Sequence, residues 1–230
     1  CLFSATLSGS GVDIFAEELL SDAKIIQVDA ANQKSDQVSQ TVYFADDKTH
    51  KQALLLHILK DITCLSALVF CNKKEQAEDV AEWIQSRNIS AQVMHGDFNQ
   101  AIRRDKTRKF RIGQIKVMVA TDVAARGLDL SNISHVINYD LPFRGDVYIH
   151  RIGRTGRAQK IGNAINLVAH HDRKNLERIE YHLEGKLPVG KFKGLEPKSV
   201  KKEAKKHKNA GKKRYVAKKD RGAADVVEGN

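Results

Sequence analysis

The amino-acid sequence predicts a doubly wound α/β domain built on a mostly parallel sheet, followed by a disordered basic tail. Apolar runs alternate along the chain with helical patterns, and runs such as LVF (68–70) and VMVA (117–120) are apolar at successive positions. Strands that are apolar on both sides are typical of a parallel sheet covered by helices on both faces. In such a sheet we expect ligands at the carboxyl ends of the strands, where loops and helix N-termini collect.

The individual elements follow from these patterns in chain order. Strands are predicted at Val38 to Phe44, Leu65 to Cys71, Ala91 to His95, Lys116 to Thr121, His135 to Tyr139 and Ala164 to Ala169. Helices are predicted at Lys48 to Lys60, Lys73 to Arg87, Asn99 to Ile112, Asp146 to Ile152 and Asp172 to Leu183. The second helix has the clearest apolar stripe, formed by Ala77, Val80, Ala81 and Ile84.

Positive charge is concentrated at the end of the chain. The whole sequence of 230 residues has a formal net charge of +11, and residues 198–230 contain twelve Lys and Arg against four Asp and Glu. This tail has no repeating apolar face, so burial cannot offset the entropy of ordering it, and we expect disorder. A lysine run of this kind binds phosphates without reading bases. A tail that serves only solubility is the alternative.

The composition excludes several classes of protein. The apolar stretches stay far below the roughly 18 residues that span a bilayer, so a membrane protein is excluded. Cys1, Cys64 and Cys71 form no CxxC pair and no Cys/His grouping, so we expect neither disulfides nor a metal site, which fits a reducing cytoplasm. Because residue 1 is Cys rather than Met, we expect the chain to be a piece of a longer protein.

The strongest chemical signal is the string YIHRIGRTGR at residues 148–157. Arg154 and Arg157 are separated by a Thr-Gly turn after a short predicted helix, so both can face one anionic ligand. The fork of a guanidinium group matches the oxygens of a phosphoryl group. An arginine supplied from another domain accelerates nucleotide hydrolysis about 10³- to 10⁵-fold, so the string predicts a role in phosphoryl transfer. Surface ion pairs would be the reading of an isolated RxxR.

A second signal is VATDVAARGLD at residues 119–129, where an apolar strand runs into a polar turn. Thr121 can donate to a phosphate, Gly127 permits a close backbone approach, and Asp129 can accept from a ribose hydroxyl. The segment therefore predicts a nucleotide or nucleic-acid contact. Taken alone, it would be explained equally well as a capping box or a turn.

A third signal is HGDFNQAIR at residues 95–103, which leads into a predicted basic helix. The N-terminus of a helix offers unpaired N–H groups and favours anions. Gln100 and Arg103 lie one turn apart, and we predict ligand contact for these two. The remaining basic residues of the helix are expected to form a solvated face.

Taken together, these segments resemble the C-terminal half of a DEAD-box ATP-dependent RNA helicase, which has a RecA-like fold. The resemblance rests on HRIGRTGR, ATDVAARGLD, HGDFNQAIR, the LVFCN strand (68–72) and Ser4-Ala5-Thr6, which follow the order and spacing of that family. It covers residues 1 to about 183. The lysine-rich tail is similar to those of bacterial members that assist ribosome assembly.

The resemblance implies roles toward ATP. Arg154 and Arg157 would be arginine fingers, and Gly127 and Asp129 would contact the nucleotide. Ser4 and Thr6 would belong to the segment that couples the ATP state to unwinding, and His150 would contact that segment.

The resemblance also implies contacts to the RNA backbone. These would come from Asn72, Gly96, Gln100, Arg103 and Thr121. Lys73 departs from the family, which more often has Thr after the FCN sequence. A charge would therefore replace a hydroxyl contact to phosphate there.

Domain boundaries follow from the same resemblance. Residues 1–29 would end an N-terminal RecA-like ATPase domain, 30–36 would be a linker, 37–183 the helicase C-terminal domain and 184–230 a disordered RNA-binding tail. The sequence contains neither GxxxxGK[ST] nor an Asp-Glu-Ala-Asp string. In the family these belong to the first domain, which would hold ATP and Mg²⁺, so we expect this chain alone to be inactive as an ATPase.

The predicted function is therefore half of an ATP-dependent RNA helicase, supplying arginine fingers and part of an RNA groove for local duplex unwinding in ribosome assembly. The expected partners are structured or ribosomal RNA, bound without sequence preference, and the N-terminal RecA-like domain. A non-catalytic RNA-binding or partner-docking module is the alternative. A related DNA helicase is a third reading, against which HRIGRTGR together with ATDVAARGLD argues.

Overall fold

The computed structural model describes residues 18–20, 37–125, 133–156 and 161–198. Six strands form one sheet in the order β1-β6-β5-β2-β4-β3, and every neighbouring pair is parallel. The strands are β1 (Val38–Phe44), β2 (Ala67–Phe70), β3 (Ala91–Met94), β4 (Val117–Ala120), β5 (His135–Asn138) and β6 (Gly162–Val168). The predicted parallel α/β fold is confirmed.

The helices connect these strands. They are α1 (Lys48–Lys60), α2 (Lys74–Gln85), α3 (Gln100–Arg111), the short α4 (Asp122–Ala125), α5 (Gly145–Ile152) and α6 (Arg173–His182), with a 3-10 turn (His170–Asp172) before α6. The sequence does not predict α4 or the 3-10 turn. Within the described ranges, no helix is both long and apolar enough to cross a membrane.

Local signals explain where two of the helices begin and one ends. The Asp47 carboxylate accepts a hydrogen bond from the backbone N–H of His50 (2.8 Å) and caps α1. Asn99 caps α3 in the same way, with its side-chain oxygen accepting from the N–H of Ile102 (3.0 Å). Gly113 follows α3 at φ +78°, a left-handed conformation that favours glycine.

Helices cover both faces of the sheet, which explains the continuously apolar strands. On β2, Ala67 and Val69 pack in one apolar cluster with residues of α1 and α2. The alternate residues Leu68 and Phe70 pack in a second cluster with Phe110 of α3. A third cluster joins β1 and β6 to α5 and α6. Every residue of β2, β4 and β5 is buried, as expected for central strands of a doubly wound sheet.

The residues that follow α6 are part of the folded domain. The backbone N–H of Val42 donates to the Pro188 carbonyl (2.8 Å), and Tyr43 stacks on Phe192 with ring centroids 4.4 Å apart. The N–H of Lys198 donates to the Asp46 carboxylate (2.8 Å) beyond the end of β1. The fold therefore extends past the boundary at residue 183 that the sequence predicts, through Lys198. The rest of the predicted tail, the predicted linker 30–36 and most of the predicted segment 1–29 lie outside the described residues.

Candidate functional site

A crevice opens at the carboxyl ends of β2 and β5, because the helices that follow these adjacent strands lie on opposite faces of the sheet. Asn72, two residues after β2, bridges the crevice. Its backbone N–H donates to Asp140 Oδ2 (3.0 Å) and its side-chain Nδ2 donates to the Leu141 carbonyl (3.0 Å). The loops after the two strands are thus joined by hydrogen bonds.

The side chain of Arg151, from α5, fills this crevice and is 1% exposed. Its Nε and Nη2 donate to the two carboxylate oxygens of Asp122 at 2.7 and 2.8 Å. Nη1 donates to Asn138 Oδ1 (3.0 Å) and to the Asp140 carbonyl (2.7 Å), and Nη2 also donates to Asn72 Oδ1 (3.0 Å). All five N–H donors of a guanidinium group are thereby used. Arg151 has no donor left for a ligand.

A second buried network lies beside the first and is built around Lys51 of α1. The Lys51 ammonium donates to Asp172 Oδ2 and to the Tyr139 carbonyl, each at 2.6 Å, and lies 3.7 Å from Asp140 Oδ1. Asp140, His171 and Asp172 have potential metal-ligating atoms within 4.8 Å of one another. Because the Lys51 ammonium already lies within 4 Å of both aspartate carboxylates, these residues suit an internal ion pair better than a metal ion.

The edge near β3 is more open. Gly96, after β3, is exposed, and a Cβ placed there would meet no atom within 4 Å. Gln100 is exposed at the first position of α3. Thr121 follows β4 beside them, with its backbone N–H donating to the Met94 carbonyl (3.3 Å). These residues form a surface on which a ligand backbone can lie close to the protein.

Arg103 is turned toward the protein as well as toward this surface. Its Nη2 donates to the Ala124 carbonyl (2.9 Å), which joins α3 to α4. Its Nε is buried and has no hydrogen-bond partner among the described residues. Arg103 therefore positions α4 and has one donor unused there.

Arg154 lies two residues after the end of α5. Its backbone N–H donates to the Arg151 carbonyl (3.2 Å). The hydroxyl of the next residue, Thr155, donates to the carbonyl of Ile133, just before β5. Gly156 has φ +68°, and a Cβ there would lie 2.7 Å from Val38 Cγ2. The turn that carries Arg154 is therefore fixed near the amino ends of the strands, while His150 is exposed on α5 itself.

The predicted site residues thus fall into two groups. Five of them lie at the carboxyl edge of the sheet: Asn72, Gly96, Gln100, Arg103 and Thr121. Arg154 lies away from that edge because α5 runs back along the sheet, and the sequence does not predict this separation. His150 is exposed on α5. The other five predicted residues lie outside the described residues: Ser4, Thr6, Gly127, Asp129 and Arg157.

Burial keeps two titratable groups of the crevice uncharged. It raises the pKa of the Cys71 thiol, between β2 and Asn72, well above its usual value. Burial also raises the pKa of the Tyr139 hydroxyl. The thiol is therefore no nucleophile at neutral pH, and the charge of the crevice is carried by the arginine, lysine and aspartate side chains.

Sequence reasoning missed Arg151 and Lys51, although a signal for both exists. In α5, Tyr148, Arg151 and Ile152 are buried, and in α1, Lys51, Leu54 and Leu55 are buried. Both cations therefore stand within an apolar stripe at i, i+3, i+4 spacing. A charged residue at such a position indicates a buried ion pair.

Comparisons with known proteins identify relatives of this chain. Residues 50–159 match the family model described as "Helicase conserved C-terminal domain". The RNA helicase SrmB of Escherichia coli (strain K12) is 39% identical over 198 residues, which is 86% of this chain and 45% of SrmB. The RNA helicase RhlB of Xanthomonas axonopodis pv. citri is 38% identical over 188 residues, covering 82% of this chain and 33% of RhlB. The chain spans less than half the length of these relatives.

Solved structures give the same result. The E. coli DEAD-box protein SrmB, bound to regulator of ribonuclease activity A, has a TM-score of 0.68 and 40% identity, over 70% of this chain and 95% of that one. S. cerevisiae Dbp5 bound to RNA and ADP BeF3 has a TM-score of 0.71 and 27% identity, over 89% of this chain and 52% of that one. The chain therefore belongs to the DEAD-box RNA helicase family, in which it corresponds to the conserved C-terminal domain.

Proposed function

We propose that this domain is one half of an ATP-dependent RNA helicase and that it supplies Arg154 and Arg157 to a nucleotide held by an N-terminal RecA-like domain. Hydrolysis would then require both domains to close together. If RNA promotes this closure, ATP turnover becomes RNA-dependent. This enzyme, with the N-terminal RecA-like domain and this domain together, is called the two-domain enzyme below.

The observation that carries the proposal is the rigid support of Arg154. On one side, Arg151 is bonded to three strand ends; on the other, Thr155 is bonded to the Ile133 carbonyl. An arginine that stabilises a developing charge must be held close to its productive position before the reaction begins. A turn fixed at both ends supplies that support.

The chain's own residues fit the phosphates of ATP but offer little for Mg²⁺. Arg154 provides positive charge. The Asp122 carboxylate is bonded to Arg151 and the Asp172 carboxylate to Lys51, while the Asp140 carboxylate accepts from the Asn72 N–H and the Gln76 amide. We therefore propose that Mg²⁺ and most of the ATP are held by the N-terminal domain. When bound, ATP supplies the phosphoryl group whose charge Arg154 stabilises.

RNA would lie across the carboxyl edge of the sheet. Gly96 permits a close approach, Gln100 offers an exposed amide, and one Nδ2 hydrogen of Asn72 remains for a ligand. These groups suit phosphates and 2′-hydroxyls rather than base edges, so RNA would be bound without sequence preference. A strand held in a bend that a duplex cannot adopt would open short helices locally. Dbp5, which shares this fold, has been solved with RNA.

The remaining predicted roles complete the proposal. His150, exposed on α5, would meet the Ser4 to Thr6 segment, and Gly127 and Asp129 would contact the nucleotide. The basic tail would add RNA affinity through phosphates. The free, buried Cys64 and Cys71 suit the cytoplasm. A role in ribosome assembly rests on the lysine-rich tail, which is similar to those of bacterial family members that assist this process.

The test is Arg154→Ala in the two-domain enzyme. We expect RNA-stimulated kcat to fall about 10³-fold, because one arginine finger contributes about 10³–10⁵ in related hydrolases. ATP binding should largely survive, since the N-terminal domain holds most of the nucleotide. Steady-state ATP turnover and binding of a fluorescent ATP analogue measure the two effects separately.

The matched control is Arg144→Ala, which removes an exposed arginine paired with Asp146 at the start of α5 (2.8 Å). This variant should keep the wild-type kcat. An unchanged kcat in Arg154→Ala would refute the arginine-finger role. RNA binding by an enzyme that never turns over ATP would favour a non-catalytic RNA-binding module instead.

A further inference from the structure

The placement of Arg151 joins the two groups of predicted site residues. Its guanidinium group bonds Asn72 after β2 and Asp122, which directly follows Thr121 after β4. Its backbone carbonyl accepts from the N–H of Arg154 (3.2 Å). One residue therefore contacts both the proposed RNA edge and the turn that carries the proposed arginine finger.

We infer that Arg151 is a positioning residue that holds Arg154 in a fixed place relative to the RNA-contacting loops after β2 and β4. This inference rests on the proposed function, because it assigns the effect to RNA-stimulated ATP hydrolysis. Arg151 does not touch RNA or nucleotide itself, since all five of its N–H groups are used inside the domain.

The geometry requires an arginine, and another cationic side chain such as lysine cannot replace it. The two bonds to Asp122 are a bidentate pair, at 2.7 and 2.8 Å. The other three bonds reach the end of β5 and the loops after β5 and β2. A lysine has three donors on a single nitrogen and cannot reach five acceptors in this planar arrangement. The Phe70 ring, 4.8 Å from the guanidinium carbon, further restricts the plane of the group.

The first experiment uses Arg151→Lys in the two-domain enzyme. The substitution keeps the charge and loses the fork, so α5 can shift relative to the loops. We expect RNA-stimulated kcat to fall about 10²-fold, the effect of displacing a reacting group by about 1 Å. The KM for ATP should stay within about twofold, because Arg151 makes no nucleotide contact.

The second experiment uses Asp122→Asn, which weakens the same bidentate pair by replacing the carboxylate that accepts from Arg151. If the pair acts as one unit, the double variant Arg151→Lys with Asp122→Asn should be little worse than either single variant. The control for simple loss of stability is Ile84→Ala, which truncates a fully buried side chain of α2 remote from the crevice. This variant should lower the melting temperature while its kcat stays at the wild-type value.

Hydrogen exchange of the domain alone separates this inference from the proposed function. The Asn72 N–H is bonded to Asp140 Oδ2 and the Gly153 N–H to the Ile149 carbonyl. In Arg151→Lys, both amides should exchange faster, while the Gly190 N–H, bonded to the Val42 carbonyl, should keep its rate.

The outcomes are distinct. A wild-type enzyme without RNA-stimulated turnover would refute the proposed function, and joint acceleration of the two amides would still support the positioning role. If kcat in Arg151→Lys matches the wild type, or if only one of the two amides exchanges faster, Arg151 is a structural ion pair and the inference is wrong.

Discussion

The carboxyl and amino edges of the sheet differ in the kinds of polar side chain that they bury. At the carboxyl edge, buried side chains carry charge: Lys51, Asp140, Arg151 and Asp172 are each at most 4% exposed. At the amino edge, neutral hydroxyl groups make the contacts around β2 and β5, and the half-buried Lys116 ammonium, before β4, donates to the Leu59 carbonyl (2.7 Å). Ser134 Oγ donates to the Ser66 carbonyl (2.6 Å), and the Thr155 hydroxyl donates to the Ile133 carbonyl.

This difference determines how each edge contributes to stability. Removing charges from water costs free energy, and a buried ion pair replaced by apolar groups of similar volume is often neutral or stabilising. At the amino edge, serine and threonine hydroxyl groups join the segments before β2 and β5 and the turn after α5. At the carboxyl edge, the same joining is done by the ion pairs of Arg151 and Lys51, so its stability depends on keeping each buried charge paired.

The largest expected effect comes from breaking the charged edge at Lys51. Lys51→Met leaves the buried carboxylates of Asp140 and Asp172 without their cation. The free energy of unfolding should fall by about 3–5 kcal/mol, the usual cost of removing one partner of a buried pair. Urea denaturation followed by circular dichroism measures the change.

Lys48→Met is the matched control, one turn earlier on the same helix. Lys48 and Asp79 form an exposed pair at 3.4 Å, with side chains 62% and 63% exposed. Exposed pairs contribute little, so this variant should unfold almost as the wild type does. Equal stability of the two variants would contradict the view that the carboxyl edge depends on its buried charges.

The sequence predicts the strands well and their ends less well. The apolar run from Leu65 predicts a strand that begins there, whereas β2 begins at Ala67 and Leu65 is 77% exposed. Ala67 is the first residue of β2 in register with β4 and β5, opposite Val117 and His135. A strand exists only where a partner runs beside it, and the composition of one segment does not contain that information.

The sequence predicts which segments carry candidate site residues, but not how the side chains of these segments are arranged. Arg151 and Arg154 belong to the same string, and although the apolar stripe indicates that Arg151 is buried, the sequence does not tell which groups it bonds. Its acceptors are supplied by Asn72, Asp122 and Asn138, which are 79, 29 and 13 residues away along the chain. Only the packing of three strands against α5 brings these acceptors to one guanidinium group.

Two glycines sharpen the contrast between the edges. Gly162 begins β6 at the amino edge, and a Cβ there would collide with the Thr155 side chain and the Gly156 backbone. Gly162→Ala should therefore lower the free energy of unfolding by about 1–3 kcal/mol, the usual cost of overpacking. Thermal or urea unfolding measures this loss.

Gly96→Ala is the counterpart at the carboxyl edge. A Cβ there meets no atom within 4 Å, so the stability should stay within about 0.5 kcal/mol of the wild type. RNA affinity, measured by fluorescence anisotropy, should instead fall severalfold, because the methyl group would stand where RNA approaches. Unchanged RNA affinity in this variant would remove Gly96 from the proposed RNA surface.

The smallest expected effect concerns His135, at the start of β5. Burial lowers the pKa of this imidazole, with Lys116 lowering it further and Asp61 opposing the shift. His135 is therefore held neutral in the folded domain, while the unfolded chain takes up a proton near its ordinary pKa of about 6.5. Below that pH the unfolded state binds more protons, so stability should fall as the pH falls.

His135→Gln removes the titrating imidazole from the amino edge. Between about pH 7.5 and about pH 5.5, the wild type should lose more free energy of unfolding than this variant does, as measured by urea denaturation at each pH. Above the ordinary pKa of histidine, the difference between the two proteins should be constant, which provides an internal control for lost packing. If the free energies of unfolding of the two proteins change in parallel over the whole pH range, His135 takes up a proton in the folded domain as readily as in the unfolded chain. The amino edge would then accept a charge at His135. The contrast with the carboxyl edge would then reflect only which residues are present, because both edges could bury charge.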